Sequence, residues 1–202
     1  MSPRGEEQNR RMRSEAIEKI TAAALEAFAE YGYHGVTMLK IMQMSGLSKG
    51  LIYHYFSSKE DVFLHLVKSS IELSNEAWED AAGHEGTAWE KIKRLTENMC
   101  RVSFAEGNLN YLMIMLQAMT QAKGIPGLPE LLAEQGARFD LLIPLIREAQ
   151  KDGDVVSGNP EILYCSYYAL FQGYILQVGQ DRSLAQHMSP EVFLSVLQRR
   201  LA

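Results

Sequence analysis

The chain has 202 residues, of which 47% are hydrophobic and 22% charged, and a formal net charge of −5. That length fits one large domain or two small ones with an ordinary core, and no run of eighteen apolar residues is present to span a membrane. The charged N-terminus has no apolar segment behind it, which argues against a secretory signal. Cys100 and Cys165, far apart in apolar helical patterns, are expected to be free buried thiols in a reducing cytoplasm.

Residues 1–13 are polar and are expected to form a flexible tail carrying Arg4, Arg10, Arg11 and Arg13, free in solvent or touching phosphate. From Ser14 to Tyr31, Ile17, Ile20, Ala24, Phe28 and Tyr31 recur on one helical face. Gly32 is placed to end that helix. Next comes T-M-L-K-I-M-Q-M-S-G-L-S-K-G-L-I-Y-H-Y-F-S-S-K-E-D, residues 37–61. Thr37 can cap a short helix with Ile41 and Met44 facing inward, and Gly46 supplies a turn of positive φ. Leu47 can fill the corner, Ser48 can cap a second helix anchored by Ile52 and Phe56, and Ser57 with Glu60 has the spacing of a capping box for the next helix. Helix, glycine turn and capped helix form a helix-turn-helix, which sets its second helix into the DNA major groove. The outward residues of that helix are Lys49, Gly50, Tyr53, His54 and Tyr55, with Lys59 just beyond. They bring charge and hydroxyls for phosphate and, at Gly50, room for close approach.

The string A-A-A-L-E-A-F-A-E-Y-G-Y-H-G-V-T followed by G-L-S-K-G-L-I-Y-H-Y-F-S-S-K-E resembles the TetR family of bacterial transcription regulators. The resemblance covers residues 14–68 and rests on Ala23, Phe28, Gly32, Thr37, Ile41, Gly46, Ser48, Gly50, Tyr53, Phe56 and Lys59. Met42, Met44 and Ser45 depart from it where small residues are usual, Lys40 stands for an acidic residue, and Leu51 stands for a threonine. By this resemblance Thr37, Ser48 and Gly50 join Lys49, Tyr53, His54, Tyr55 and Lys59 as DNA-binding residues. It also implies a homodimer, a small-molecule effector and a double-stranded operator.

The charge is divided accordingly. Residues 1–68 hold nine basic and eight acidic side chains, net +1, whereas residues 69–202 hold eleven and seventeen, net −6. An acidic body keeps DNA at the other end of the molecule.

A fourth helix, from about Ser58 to Ala81, is long enough to link head and body. Helices are then expected over Thr87–Ala105, Leu109–Lys123, Pro129–Lys151 with a kink at Pro144, Pro160–Val178, and Pro190–Leu201. The architecture is therefore all-α with about nine helices: a DNA-binding domain over 1–60 and a ligand-binding and dimerisation domain over 61–202. Trp78, Trp89, Met99, Phe104, Met115, Met119 and Phe139 suit an adaptable apolar pocket for a neutral or cationic molecule. The 160–178 segment is apolar nearly all round, so it must bury a second face, within the monomer or elsewhere; by the resemblance, Tyr164, Tyr167, Tyr168, Phe171 and Ile175, with Phe193 and Leu197, are expected at a two-fold interface. No metal-ligand spacing, nucleophile motif or phosphate-cradling loop is present, and no enzyme or cofactor is expected. The resemblance implies a repressor released by its ligand. The alternatives are an activator of the same build, or a helical ligand-binding or protein-interaction module without sequence-specific DNA binding.

Overall fold

The computed structural model describes residues 3–105, 107–121, 124–139 and 141–199, and within them the side chains of all but 3–6, 76, 134, 135 and 137–139. The described residues form ten α-helices and one 3-10 helix: α1 Pro3–Gly35, α2 Met38–Ser45, α3 Lys49–Tyr55, α4 Lys59–Gly83, α5 Ala88–Ser103, α6 Leu109–Thr120, α7 Leu128–Phe139, α8 Leu142–Asp152, α9 Pro160–Gln180, the 3-10 helix Arg182–His187, and α10 Pro190–Leu194. The all-α expectation holds, and no strand occurs among these residues.

The first helix is longer than its apolar pattern. It begins at Pro3, so the expected flexible tail is helical as far as it is described, and Met1 and Ser2 lie outside the described residues. Side chains one turn apart support the helix where the extension joins the expected segment: Arg11 pairs with Glu15 at 2.9 Å, and Ser14 donates to Glu18 at 2.9 Å. Gly32 breaks the helix at φ 68°, ψ 167°, a left-handed conformation that a side chain would strain.

Three further boundaries differ from expectation. The cap of α4 is Ser58 rather than Ser57. The Ser58 hydroxyl accepts from the Asp61 amide (3.1 Å), and the Asp61 carboxylate accepts from the Ser57 amide (2.9 Å). That leaves Glu60 free to accept from the Tyr33 hydroxyl at 3.1 Å. The helix expected over 129–151 is two helices, α7 and α8. Pro144 sits in the first turn of α8, where a missing N–H costs little, so the break comes before the proline and not at it. Finally, α10 stops at Leu194. The chain then pairs with the α8–α9 loop through Val156 N–H to Leu197 C=O (2.9 Å) and Arg199 N–H to Asp154 C=O (3.0 Å). The expected end of that helix at Leu201 lies outside the described residues.

Two apolar cores result. The first joins Phe28, Ile41, Ile52, Val62, Phe63 and Leu66 of the N-terminal helices to Ile114, Met115 and Ala118 of α6 and to Ile125 and Leu128. Phe63 meets Phe28 and Tyr33 edge-on, at 5.1 and 4.8 Å between ring centres. The second core joins Trp78 and Ala81 at the end of α4 to α5, α8, α9 and α10 around Ile92, Ile146, Tyr167 and Phe193. Helices α4 and α6 serve both cores.

Candidate nucleic-acid interface and cavity

Local chemistry builds the helix-turn-helix as its sequence requires. Thr37 Oγ1 accepts from the Lys40 amide at 3.2 Å, and Ser48 Oγ accepts from the Leu51 amide at 3.3 Å. Gly46 caps α2 in the left-handed region at φ 68°. Ile41 and Ile52 are fully buried, Phe56 is buried, and Leu47 packs at the corner. The two helices are thus fixed at the angle their caps and turn allow, with the start of α3 open to solvent.

Thr37, Ser48, Lys49, Gly50, Tyr53 and His54 are all exposed, and Tyr55 is partly exposed. No acidic side chain occurs anywhere from Thr37 to Ser58. Lys49 Nζ lies 5.8 Å from the Tyr53 ring centre, and Lys40 Nζ lies 3.3 Å from that of Tyr31. A Cβ added to Gly50 would meet nothing within 4 Å, so the glycine answers no internal crowding and leaves the helix start bare on its outer side.

Lys59 is placed differently from its companions. Its ammonium donates to the Tyr33 carbonyl at 3.1 Å and lies 4.3 Å from the Tyr33 ring centre. It holds α4 to the end of α1. Burial, together with the bond to Glu60, pushes the Tyr33 phenol up to about 12, so it stays a donor. Backbone hydrogen bonding at the start of α4 holds the Glu60 carboxyl below its ordinary range.

The sequence reading missed where the N-terminal arm runs. Arg13 of α1 lines a recess with Ile17, His54, Tyr55, Phe56 and His65, beside the end of α3.

In the body, a cavity of about 660 Å³, counting its open mouth, lies between α4, α5, α6 and α9. Trp78, Met99, Met115 and Met119 line it as expected. Trp89 and Phe104 do not. Both pack against the second core, where Phe104 meets Phe171 and Tyr174 edge-on at 6.3 and 6.0 Å. The Phe139 side chain lies outside the described residues. The lining residues that sequence reasoning missed include Ser70, Ser74 and Ser103, whose hydroxyls gave no periodic signal.

The residues expected at a two-fold interface are mostly internal. Tyr167, Phe171, Ile175, Phe193 and Leu197 are buried in the second core, whereas Tyr164 and Tyr168 are partly exposed. The Tyr167 hydroxyl shares a hydrogen bond with Thr96 Oγ1 at 2.9 Å. The exposed face of α9 is a different stripe: Ile162 (63% exposed), Cys165, Ala169, Gly173 and Leu176 (46%). Cys165 is therefore exposed, against expectation. Cys100 is buried, and desolvation pushes its thiol up to about 12. Among the described residues no group of three or more His, Cys, Asp or Glu side chains could hold a metal ion, and no helix is long and apolar enough to cross a membrane.

Residues 20–66 match the family model described as "Bacterial regulatory proteins, tetR family". The chain is 38% identical over 74 residues to the fatty acid metabolism regulator protein of Bacillus subtilis, a match covering 37% of this chain and 38% of that protein, so it spans less than half of that relative's length. It is 26% identical over 168 residues to the HTH-type transcriptional repressor AcnR of Corynebacterium efficiens, covering 82% of this chain and 83% of that one. The fold is shared with the ketosteroid transcriptional regulator KstR2 of Mycobacterium tuberculosis, at a TM-score of 0.73, 18% identity, and 94% and 96% coverage of the two chains. It is shared also with a putative transcriptional regulator from Saccharomonospora viridis in complex with choline, at a TM-score of 0.70, 23% identity, and 93% and 100% coverage. The matched segment, residues 20–66, forms the capped helix-turn-helix described above and is a DNA-binding segment of the kind found in the tetR family of bacterial regulatory proteins.

Proposed function

We propose that this chain is a DNA-binding transcriptional regulator, a cytoplasmic repressor that leaves its operator when a small molecule fills the cavity. The observation that carries the reading is the capped helix-turn-helix, whose open face presents Lys49, Gly50, Tyr53 and His54 with no carboxylate between Thr37 and Ser58. Such a face suits phosphate contacts that set register while the start of α3 meets base edges. Repressor is favoured over activator because the relative aligned over most of both chains carries that name.

Two copies would join through the uncharged stripe of α9, since a helix exposing Ile162 and Leu176 beside Cys165, Ala169 and Gly173 offers a close, apolar approach. An obligate interface of this kind buries about 2,000 Å² or more. The paired heads would then read half-sites about 34–36 Å apart or a small multiple of that.

Helix α6 supports a route from cavity to head. One side of it carries Leu112, Met115, Leu116 and Met119 into the cavity. The other side is tied to α1. Gln117 Nε2 donates to the Phe28 carbonyl at 2.8 Å, and His34 Nε2 lies 3.0 Å from the Gln121 carbonyl. Ser70 of α4 donates to the Tyr111 carbonyl at 2.9 Å, which binds the same helix to the long link. A ligand acts here only through different affinity for the two head positions, so operator must weaken ligand by the factor that ligand weakens operator.

Selection from random duplexes, followed by titration of the selected sequence at several salt concentrations, tests the reading. A palindromic site with a steep salt dependence is expected. Recovery of no enriched sequence would favour a helical ligand-binding module instead.

A further inference from the structure

Two openings in the body share one neck. The main cavity meets a shallower groove between α6, α7 and α9, lined by Leu132, Gly136, Tyr164, Cys165 and Ala169, and the residues common to both are Met115, Met119, Tyr168 and Gln172. Among the described residues, neither space has a single Asp, Glu, Lys, Arg or His in its lining. We propose that the effector is a neutral amphiphile, with a hydrocarbon body in the cavity and one hydrogen-bond-accepting end group at the neck between Tyr168 and Gln172. This rests on the reading of the cavity as the ligand site and adds the chemical class.

The lack of charge among the described lining residues weighs against ions. An ionised carboxylate or ammonium moved from water into an apolar space without a partner carries a penalty that apolar contacts do not recover. Two of the three serine hydroxyls in the lining are committed to the fold. Ser70 Oγ donates to the Leu66 and Tyr111 carbonyls, both at 2.9 Å, and Ser74 Oγ donates to the Ile71 carbonyl at 2.8 Å. Apart from Ser103, the inner end presents Met99, Leu112, Leu116, Ile175 and the ring of Trp78, an apolar surface that suits hydrocarbon.

The neck is different. Gln172 directs its amide Nε2 at the Met119 sulfur, 3.7 Å away, a weak acceptor that a carbonyl or ether oxygen would replace with gain. Tyr168 stands beside it, hydrogen-bonded with Gln172, and burial pushes its phenol up to about 12, so it keeps its proton at every physiological pH. The Gln172 amide, a neutral donor held here by a weakly accepting thioether, with apolar space on both sides, selects a neutral acceptor flanked by hydrocarbon. Met115 and Met119 form the other side of the neck, and their flexible thioethers can adapt to the thickness of the chain passing them.

The test uses three probes with one ten-carbon chain and different ends: decanamide, decanoate and decyltrimethylammonium. Trp78 lines the cavity and Trp89 does not, so the full-length Trp89→Phe variant reports occupancy by fluorescence. Displacement of an apolar dye from the wild type repeats the ranking without any substitution. Decanamide is expected to bind at least about tenfold more tightly than either ion. Gln172→Leu should weaken decanamide about threefold to tenfold, the worth of one neutral hydrogen bond, and leave dye affinity unchanged. Tighter binding of decyltrimethylammonium would overturn the proposal in favour of an aromatic cation site. Tighter binding of decanoate, or binding of none of the three, would overturn it as well, and so would indifference to Gln172→Leu. Operator titration in parallel keeps the two readings separate. Decanamide that binds without changing operator affinity supports the ligand class and sinks the release mechanism.

Discussion

Replacing Gln117 by Met separates the structural from the signalling role of the α6–α1 tie. Gln117 is 6% exposed, and its Nε2 donates to the Phe28 carbonyl, but its Oε1 is buried and has no hydrogen-bond partner among the described residues. Loss of the neutral bond costs about 1 kcal/mol, and removal of a buried oxygen without a partner returns about 1–3 kcal/mol. Met keeps the length of the side chain and fills the same space without opening a cavity. The variant should be as stable as the wild type or more stable by up to about 2 kcal/mol, which at this chain length raises the midpoint by about 2–4 °C per kcal/mol. Coupling should move the other way. With one of the two α6–α1 ties gone, the factor by which decanamide weakens operator should fall by about 0.5–2 kcal/mol, or roughly 2- to 30-fold. Thermal melts give the first number, and operator titrations with and without ligand give the second. A midpoint lowered by several degrees would show that the bond outweighs the orphaned oxygen. An unchanged coupling factor would show that the signal bypasses α6.

The two lysines of the head should behave differently. Lys49→Ala should weaken binding to all duplexes and lower the salt slope by about one, with an unchanged melt, whereas Lys59→Ala should lower the melting midpoint, because its ammonium holds the Tyr33 carbonyl. Leu176→Asp should yield monomers in sedimentation and abolish binding to the two-half-site operator, because the stripe of α9 cannot bury an unpaired carboxylate; a dimer that survives this change uses another face. Thiol titration of the native chain at pH 8 to 9 should find no more than Cys165, with Cys100 appearing on denaturation. A thiol raised in the fold to about 12 favours folding fully below its unfolded value of about 8.5, and that contribution falls as pH rises from there through 12.

What the sequence disclosed follows the range of the forces involved. The helix-turn-helix was legible because its determinants are local: Thr37 and Ser48 bond amides three residues on, and Gly46 sets its own turn. The start of α1 was hidden by polarity, since Arg11–Glu15 and Ser14–Glu18 support a helix without any apolar stripe. The break before α8 was hidden because Pro144 can either kink a helix or sit in its first turn, and only the packing of Leu142 and Ile146 in the second core chooses. The burial along α9 was hidden for a related reason. Along α9 nearly every residue is apolar, so periodicity could not say which face the protein keeps for itself. The large rings of Tyr167 and Phe171 went inside, and the small Cys165, Ala169 and Gly173 were left outside. Met and aromatic richness located the cavity in outline, but Trp89 and Phe104 were claimed by the core, and nothing at helical spacing distinguishes a wall from a filling.

The first core crosses the border expected at residue 60, and the head is therefore not a detachable module. A fragment cut after Lys68 would strip Ile114, Met115 and Ala118 from the layer that covers Phe28, Phe63 and Leu66, leaving an oily flank where α6 had been. The N-terminal helices borrow their lid from the body, so they should melt together with it in one cooperative transition. Met115 belongs both to that lid and to the cavity wall. A molecule lodged against it leans on the same packed layer that keeps the recognition helix in position, with a single side chain between them.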